Sequence, residues 1–192
     1  MKSVEESVVI AMDGSDKELF PFLPYILQDL WEIGSDPDAI TKLIGRHYTK
    51  YDNLKVLDLG CGKGAVSIKV AHKFRCSCFG IDAIPEFISY AQKKAIEYKV
   101  EHLCKFETGD IRKQIKELQL YDIIILGSIG PIFGDYFTTL STLSKYLNNS
   151  GMFIIDDGYI EDNSDYTHPL ILKKQEILQQ ISIAGMKLIE ED

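Results

Sequence analysis

From residue 55 onward, short apolar segments alternate with longer segments whose apolar residues recur at helical spacing. Residues 122–126 and 152–155 are almost wholly apolar, so neither face of such a strand is suited to water. Strands of this kind belong to parallel sheets that helices cover on both faces. The pattern therefore predicts an α/β fold: a Rossmann-like, doubly wound, mostly parallel sheet with helices on both faces.

The same alternation gives bounds for the individual elements. A turn is predicted at the polar residues Asn-Asn-Ser-Gly, 148–151. Strands are predicted at residues 55–59, 76–81, 104–107, 122–126 and 152–155, with a last strand at 186–190. Helices are predicted at residues 65–73, 85–98, 111–118, 137–147 and 169–184.

The N-terminal part, residues 1–50, is predicted to be an arm and a helical lid, followed by one domain of residues 51–192. The first 16 residues are expected to be a mobile arm. Residues 13–31 carry much apolar surface, which has to be buried somewhere. One interpretation is a lid over the carboxyl ends of the strands that shapes a substrate pocket, and the alternative is a helix packed on the side of the sheet.

Two helices are predicted in this N-terminal part. The first covers residues 19–31, where both prolines fit only near the first turn, and Gly34 ends it. Ser35 or Asp36 then caps a second helix, which has Pro37 at its first position.

Composition indicates which classes of partner and which cellular location to expect for this chain. The 192 residues include 21 Lys and Arg against 29 Asp and Glu, a net charge of −8, so no nucleic-acid partner is expected. Apolar runs fall far short of the roughly 20 residues of a membrane helix, and no signal peptide is visible. A cytoplasmic location without membrane contact is therefore expected, and the oligomeric state stays open.

The cysteines and histidines predict no metal site. The four cysteines, Cys61, Cys76, Cys78 and Cys104, form no Cys-x-x-Cys pair. They are predicted to be reduced thiols that serve as small apolar residues. The histidines show no spacing that is typical of metal ligands.

A glycine-rich loop follows the first predicted strand, in the sequence Val-Leu-Asp-Leu-Gly-Cys-Gly-Lys-Gly at 56–64. Glycines at positions 60, 62 and 64 let the backbone turn tightly and approach a ligand before a helix begins. The spacing is G-x-G-x-G with Asp58 two residues upstream, whereas the dinucleotide fingerprint is G-x-G-x-x-G and needs no such acid. Asp58 could accept a hydrogen bond from an amine.

Further polar residues follow the other strands, at the edge of the sheet where ligands of such folds bind. Asp82 ends the second strand and could accept both hydroxyls of a ribose. Asp110 follows the third strand and is either a ligand of an adenine amino group or the N-cap of a helix. Gly127 and Ser128 open the turn after the fourth strand.

Together these motifs resemble the class I S-adenosylmethionine-dependent methyltransferases of small-molecule type, over roughly residues 54–190. The glycine loop at 56–64 is similar to the family's first motif, Gly-Ile-Asp at 80–82 to its second, and Glu-Thr-Gly-Asp-Ile at 107–111 to its third. Residues 121–126 and 147–155 are similar to its fourth and fifth strands.

The resemblance implies S-adenosylmethionine as the cofactor and assigns roles to site residues. The glycine loop, with Cys61, takes the methionine portion, and Asp82 takes the ribose. The adenine is bound by Ala83, Asp110 and Ile111. The sulfonium lies near the turn after the fourth strand. The predicted cofactor-binding set is Asp58, Gly60, Cys61, Gly62, Gly64, Asp82, Ala83, Asp110, Ile111, Gly127 and Ser128.

Two departures from the family's pattern are visible. The turn after the fourth strand lacks the Asn/Asp-Pro-Pro-aromatic sequence of enzymes that methylate base or amide nitrogens, so a different small-molecule acceptor is expected. The family's sheet usually ends in a β-hairpin whose seventh strand inserts beside the fifth. This sequence stops at Asp192, so either the sheet is shortened or the natural protein continues.

Methyl transfer needs an acceptor held in line with the methyl group, and a general base only where the acceptor arrives protonated. Candidate bases are Asp156, Asp157, Tyr159 and His47, and no catalytic residue is assigned. Three other functions stay open: a nucleotide-dependent oxidoreductase of the same fold, a non-catalytic S-adenosylmethionine-binding protein, and an RNA methyltransferase, which the acidic composition disfavours.

Overall fold

The computed structural model describes residues 2–191, apart from the side chain at position 117. Its centre is one parallel sheet in the order β3-β2-β1-β4-β5. The strands are β1 (Lys55–Leu59), β2 (Ser77–Asp82), β3 (Cys104–Thr108), β4 (Tyr121–Gly127) and β5 (Leu147–Asp156). The order reverses between β1 and β4, so a ligand crevice is expected at the carboxyl ends of these two strands. The predicted α/β, Rossmann-like parallel sheet is confirmed.

Eight α-helices surround or precede the sheet within the described residues. Three short 3-10 helices, Lys17–Phe22, Ile115–Glu117 and Ser144–Tyr146, extend or join them. The α-helices are α1 (Val4–Ala11), α2 (Leu23–Ile26), α3 (Pro37–His47), α4 (Ala65–Phe74), α5 (Pro85–Glu97), α6 (Ile111–Gln114), α7 (Tyr136–Leu143) and α8 (Lys174–Ile183). No helix in residues 2–191 is long and apolar enough to cross a bilayer.

The sheet is buried on both faces, which explains why its strands are so apolar. On one face, Val56, Ile123 and Ile125 pack against α3, α4 and α5. On the other face, Leu57 and Ile124 share a cluster with residues of α6 and α7. Side chains alternate between the two faces along a strand, so continuous apolar runs supply both layers at once.

The N-terminal part differs from its prediction in two places. The segment expected to be a mobile arm contains helix α1, whose first N–H groups are capped by Ser3. The single helix expected over residues 19–31 is instead a 3-10 helix and the one-turn α2, because Pro21 and Pro24 each remove a donor from a regular helix. The second helix begins at Pro37 after the cap Asp36, as predicted.

The C-terminal third differs as well. β5 begins at Leu147, so the predicted turn at 148–151 lies within the strand, beside an irregularity in its pairing with β4. Helix α8 begins at Lys174 rather than at 169. The predicted last strand at 186–190 does not form. Leu188 and Ile189 are 45% and 58% exposed, so this segment lacks the burial that holds a strand in this sheet.

Candidate active site

The glycine loop joins β1 to α4 with three residues in the left-handed conformation. Gly60, Gly62 and Gly64 have φ values of 74°, 53° and 74°, which side chains other than hydrogen tolerate poorly. A Cβ on Gly64 would also lie 2.8 Å from Cβ of Ala91, while a Cβ on Gly62 would meet nothing within 4 Å. The loop therefore needs glycine both for its turns and for its close packing, and it keeps open space above Gly62.

Asp58 lies beneath this loop, buried between β1 and α4. Its carboxylate accepts a hydrogen bond from the Ser67 hydroxyl at 2.7 Å. Burial raises the pKa of Asp58 to about 6, against the opposing effect of the Ser67 hydrogen bond. Asp58 thus joins β1 to α4 and does not line the cavity described next.

A cavity opens at the carboxyl ends of the strands, where the motifs predicted it. Six of the predicted cofactor residues line it, and five, Asp58, Cys61, Gly62, Gly64 and Gly127, do not. The lining residues are Gly60, Asp82, Ala83, Gly109, Asp110, Ile111, Ser128, Ile129 and Ile132 from the sheet domain, and Val4, Ser7, Val8, Ala11 and Met12 from the N-terminus. The N-terminal lining therefore comes from α1 and Met12, not from the segment 13–31 predicted as a lid.

Helix α1 narrows this cavity. The cavity measures about 80 Å³, whereas pockets for small molecules and cofactors span roughly 300–1,000 Å³. The cavity is therefore smaller than a nucleoside needs, and α1 forms part of its wall.

Asp82 ends β2 with both carboxylate oxygens fixed. The backbone N–H of Gly62 donates to Oδ2 at 2.9 Å, and the N–H of Ile84 donates to Oδ1 at 2.9 Å. Burial raises the pKa of Asp82, while these backbone donors oppose the rise. Each oxygen keeps a second lone pair, so the carboxylate could still accept two hydroxyl groups.

Asp110 caps α6 and is held by Arg112. The guanidinium donates to both carboxylate oxygens at 2.8 and 3.0 Å, and this pairing lowers the pKa of Asp110. The same guanidinium donates to the carbonyl of Lys2 at 3.0 Å and contacts the Ser7 hydroxyl at 3.4 Å. Arg112, which the sequence reasoning missed, therefore ties α1 to the cavity wall.

The turn between α2 and α3 lies against the end of β4. A Cβ on Gly127 would collide with Oγ of Ser35, and a Cβ on Gly34 would lie 3.0 Å from Cβ of Ser128. Ser128 has φ 52°, a strained value for a residue other than glycine. Among the described residues, the buried Oγ of Ser35 has no hydrogen-bond partner.

Lys63 connects the glycine loop to the N-terminal segment. This role was not predicted from the sequence. This side chain is buried, and its ammonium donates to the carbonyls of Leu27 and Leu30, both at 2.6 Å. In return, the indole N–H of Trp31 donates to the carbonyl of Lys63 at 3.1 Å. Desolvation lowers the pKa of Lys63. A lysine inside a glycine loop gives no sequence signal for such partners.

The four candidate bases lie in different surroundings. His47 pairs with Glu190 at 2.5 Å near the C-terminus. The ring of Tyr159 lies 5.0 Å from the ammonium of Lys174. Asp156 is the last residue of β5, where it pairs with Gly127 of β4, and Asp157 follows it.

Asp157 is the candidate with a hydrogen-bonded partner at this edge of the sheet. It accepts a hydrogen bond from the Tyr136 hydroxyl at 2.8 Å. Burial raises the pKa of Tyr136 well above its ordinary value, so the phenol remains the donor of this pair.

Comparison with known proteins shows to which family the chain belongs. Residues 50–187 match the family model described as a methyltransferase domain. The chain belongs to the class I S-adenosylmethionine-dependent methyltransferases. The oxidoreductase alternative is set aside, because the family match covers most of the chain.

Individual relatives support this assignment. The sterol 24-C-methyltransferase of Debaryomyces hansenii is 26% identical over 123 residues, which is 60% of this chain and 32% of that protein. The malonyl-[acyl-carrier protein] O-methyltransferase of Bacillus cytotoxicus is 28% identical over 110 residues, which is 57% of this chain and 37% of that protein. The chain thus matches about a third of the length of these curated relatives.

A solved structure shows the same fold. A methyltransferase from Thiobacillus denitrificans, solved with S-adenosylhomocysteine, superposes with a TM-score of 0.71 at 20% identity, over 86% of this chain and 71% of that one.

The residues present fit the family's methyl donor, S-adenosylmethionine. The bare backbone above Gly62 leaves room for a ligand. Asp82 offers two fixed carboxylate oxygens to a diol, and Ile111 offers an apolar wall. Among the described residues, the Ser35 hydroxyl has no hydrogen-bond partner, so a polar group of a ligand could pair with it at the end of β4. A nucleoside with a charged amino-acid tail has groups of all these kinds.

Proposed function

We propose that this chain transfers the methyl group of S-adenosylmethionine to a small-molecule acceptor by in-line displacement. The observation that carries the proposal is the cavity at the carboxyl ends of the strands, where Asp82 and Asp110 stand beside the glycine loop. Fold alone does not fix chemistry, and here the site residues and the family match agree.

The donor-binding roles follow the family resemblance, residue by residue. The glycine loop takes the methionine portion, and Asp82 takes the ribose hydroxyls. Ala83, Asp110 and Ile111 take the adenine. Gly127 and Ser128 lie beside the sulfonium. Because Arg112 already occupies one side of the Asp110 carboxylate, Asp110 binds the adenine edge through its remaining lone pairs.

The acceptor is proposed to be a small molecule for three reasons. The net charge is −8, which opposes binding to nucleic acid. The turn after β4 reads Gly-Ser-Ile-Gly-Pro, not the sequence of enzymes that methylate base or amide nitrogens. The names of two relatives denote a sterol and (S)-coclaurine as acceptors, both small molecules, against one relative whose name denotes a tRNA.

The chain's own contribution to catalysis is positioning and exclusion of water. S-adenosylmethionine supplies a methyl group on a positively charged sulfur, which leaves as a neutral thioether. Holding donor and acceptor in line can lower the barrier by about 7–11 kcal/mol. Asp157, held by the Tyr136 hydroxyl beside the end of β4, is the residue we propose to accept a proton when the acceptor is protonated.

The N-terminal part is proposed to act as the lid of this site. Helix α1 covers the donor side of the cavity, and Arg112 holds it in place. Residues 23–31 fasten to the glycine loop through Lys63 and Trp31. Outward movement of α1 admits the donor, and its return excludes water from the sulfonium.

Incubation with S-adenosylmethionine carrying a labelled methyl group tests the proposal. The full chain is offered a pool of small organic molecules and, separately, bulk RNA. We expect label in the small-molecule fraction and none in RNA. A matched Asp82→Asn variant should lose most of this label. Label appearing only in RNA would contradict a small-molecule acceptor.

A further inference from the structure

The Ser35 hydroxyl is buried at the carboxyl end of β4 and belongs to none of the family motifs. Ser35 is 7% exposed, and its Oγ has no hydrogen-bond partner among the described residues. Burying a hydroxyl without a partner costs free energy, so the great majority of buried polar groups are paired. The unpaired hydroxyl therefore points to a ligand group at this place.

Helix capping does not account for Ser35. The cap of α3 is Asp36, whose carboxylate accepts the backbone N–H groups of Asp38 and Ala39 at 2.7 and 3.3 Å. The hydroxyl of Ser35 instead faces Gly127, where a Cβ would collide with it. Because Gly127 has no side chain, the Ser35 hydroxyl can lie directly against the end of β4.

The position of Ser35 is fixed relative to the glycine loop. Lys63, within that loop, holds the carbonyl of Leu30 at 2.6 Å and the indole of Trp31 at 3.1 Å. These contacts anchor the chain four residues before Ser35. β1 and β4 are neighbours, with Leu59 paired to Leu126, so Gly60, which follows β1, lies at the same edge of the sheet as Gly127, which ends β4.

We propose that the Ser35 hydroxyl hydrogen-bonds the amino-acid end of S-adenosylmethionine, as a donor-binding residue outside the glycine loop. The inference rests on the proposed function, which places the methionine portion at that loop. The amino-acid end carries an ammonium and a carboxylate, and a serine hydroxyl can accept from the first or donate to the second. A hydrogen bond to a charged group is stronger than one between neutral groups.

The test compares two ligands that differ at this end. S-adenosylhomocysteine carries the amino-acid group, and 5′-methylthioadenosine lacks it. Each is titrated calorimetrically into the full wild-type chain, Ser35→Ala, and Ser77→Ala, an exposed control at the opposite end of β2. We expect Ser35→Ala to weaken the binding of S-adenosylhomocysteine about tenfold. The affinity for methylthioadenosine should stay within about twofold of the wild-type value. Ser77→Ala should bind both ligands like the wild type.

Thermal melting without ligand gives a second readout. Because the hydroxyl has no partner within residues 2–191, Ser35→Ala should melt at the same temperature as the wild type or higher. Equal weakening of both ligands, or weakening of neither, would overturn the role of Ser35 while leaving the proposed function intact. A wild-type chain that binds neither ligand would contradict the proposed function itself and this inference with it.

Discussion

The indole N–H of Trp31 donates a hydrogen bond to the backbone carbonyl of Lys63, 3.1 Å away, and thereby joins the N-terminal segment to the glycine loop. The ammonium of the same lysine holds the carbonyls of Leu27 and Leu30. The loop that carries the family's first motif is thus hydrogen-bonded to residues that lie more than twenty positions before β1 in the sequence. This coupling means that changes in either segment should affect the other.

Replacing Lys63 with methionine tests the coupling. Lys63→Met keeps most of the side-chain volume but removes the ammonium donor from the carbonyls of Leu27 and Leu30, while the Leu27 carbonyl still accepts from the Leu30 N–H. Leu30 is 52% exposed, so water can replace part of the lost bonding, and we expect the free energy of unfolding in urea to fall by about 1–3 kcal/mol. The exposed control Lys93→Met should unfold like the wild type. Unchanged stability of Lys63→Met would show that the contact contributes little.

Asp82→Asn should weaken cofactor binding, and it should also lower stability, because the amide NH2 faces the backbone N–H of Gly62 or of Ile84. The amide accepts hydrogen bonds through one oxygen only, so at least one charge-assisted bond to a ribose hydroxyl is lost. We expect calorimetry to show at least about tenfold weaker binding of S-adenosylhomocysteine. The exposed control Asp165→Asn should bind normally. Wild-type affinity in Asp82→Asn would remove Asp82 as the ribose ligand.

The raised pKa of Asp58 predicts a pH dependence of stability. Its folded-state pKa of about 6 lies above its ordinary value of 3.8, so the folded chain holds this proton more tightly than the unfolded chain. Stability from this group is therefore greatest below about pH 4, falls as pH rises toward 6, and stays lower above it. The loss amounts to roughly 3 kcal/mol at about 1.4 kcal/mol per unit.

Asp58→Asn removes this titration while its amide oxygen can still accept from Ser67. Urea unfolding at pH 4.5 and pH 8 should show that the variant loses less stability on going to pH 8 than the wild type. The exposed control Asp52→Asn should follow the wild type at both values. If Asp58→Asn and the wild type change in parallel between the two pH values, Asp58 does not titrate as described.

Arg112→Met should loosen helix α1. The guanidinium bonds to the Lys2 carbonyl and contacts the Ser7 hydroxyl, and both contacts disappear in the variant. We expect faster amide hydrogen exchange across α1, and only there and in α6, because local opening controls exchange. Lys113→Met, one position along and exposed, serves as the control. Unchanged exchange in α1 would mean that packing alone holds the helix.

Sequence reasoning predicted the sheet well because its strands are buried on both faces and leave a continuous apolar pattern. It also found the cavity residues that follow strand ends, such as Asp82 and Asp110. It missed the contacts of Lys63 and Arg112 with the N-terminal part, because those partners lie far away in sequence and are mostly backbone carbonyls. It named Ser35 only as a possible helix cap, because the position of its hydroxyl against Gly127 depends on the tertiary fold. The N-terminal helices were misjudged because tertiary contacts order α1, while Pro21 and Pro24 shorten the helix that apolar content favoured.

The most direct test of the account is a calorimetric titration of the full wild-type chain with S-adenosylhomocysteine and, separately, with NAD. The glycine loop with Asp58 upstream, the fixed carboxylate of Asp82 and the unpaired hydroxyl of Ser35 together predict one bound S-adenosylhomocysteine per chain and no binding of NAD. Tight binding of NAD without binding of S-adenosylhomocysteine would contradict the account.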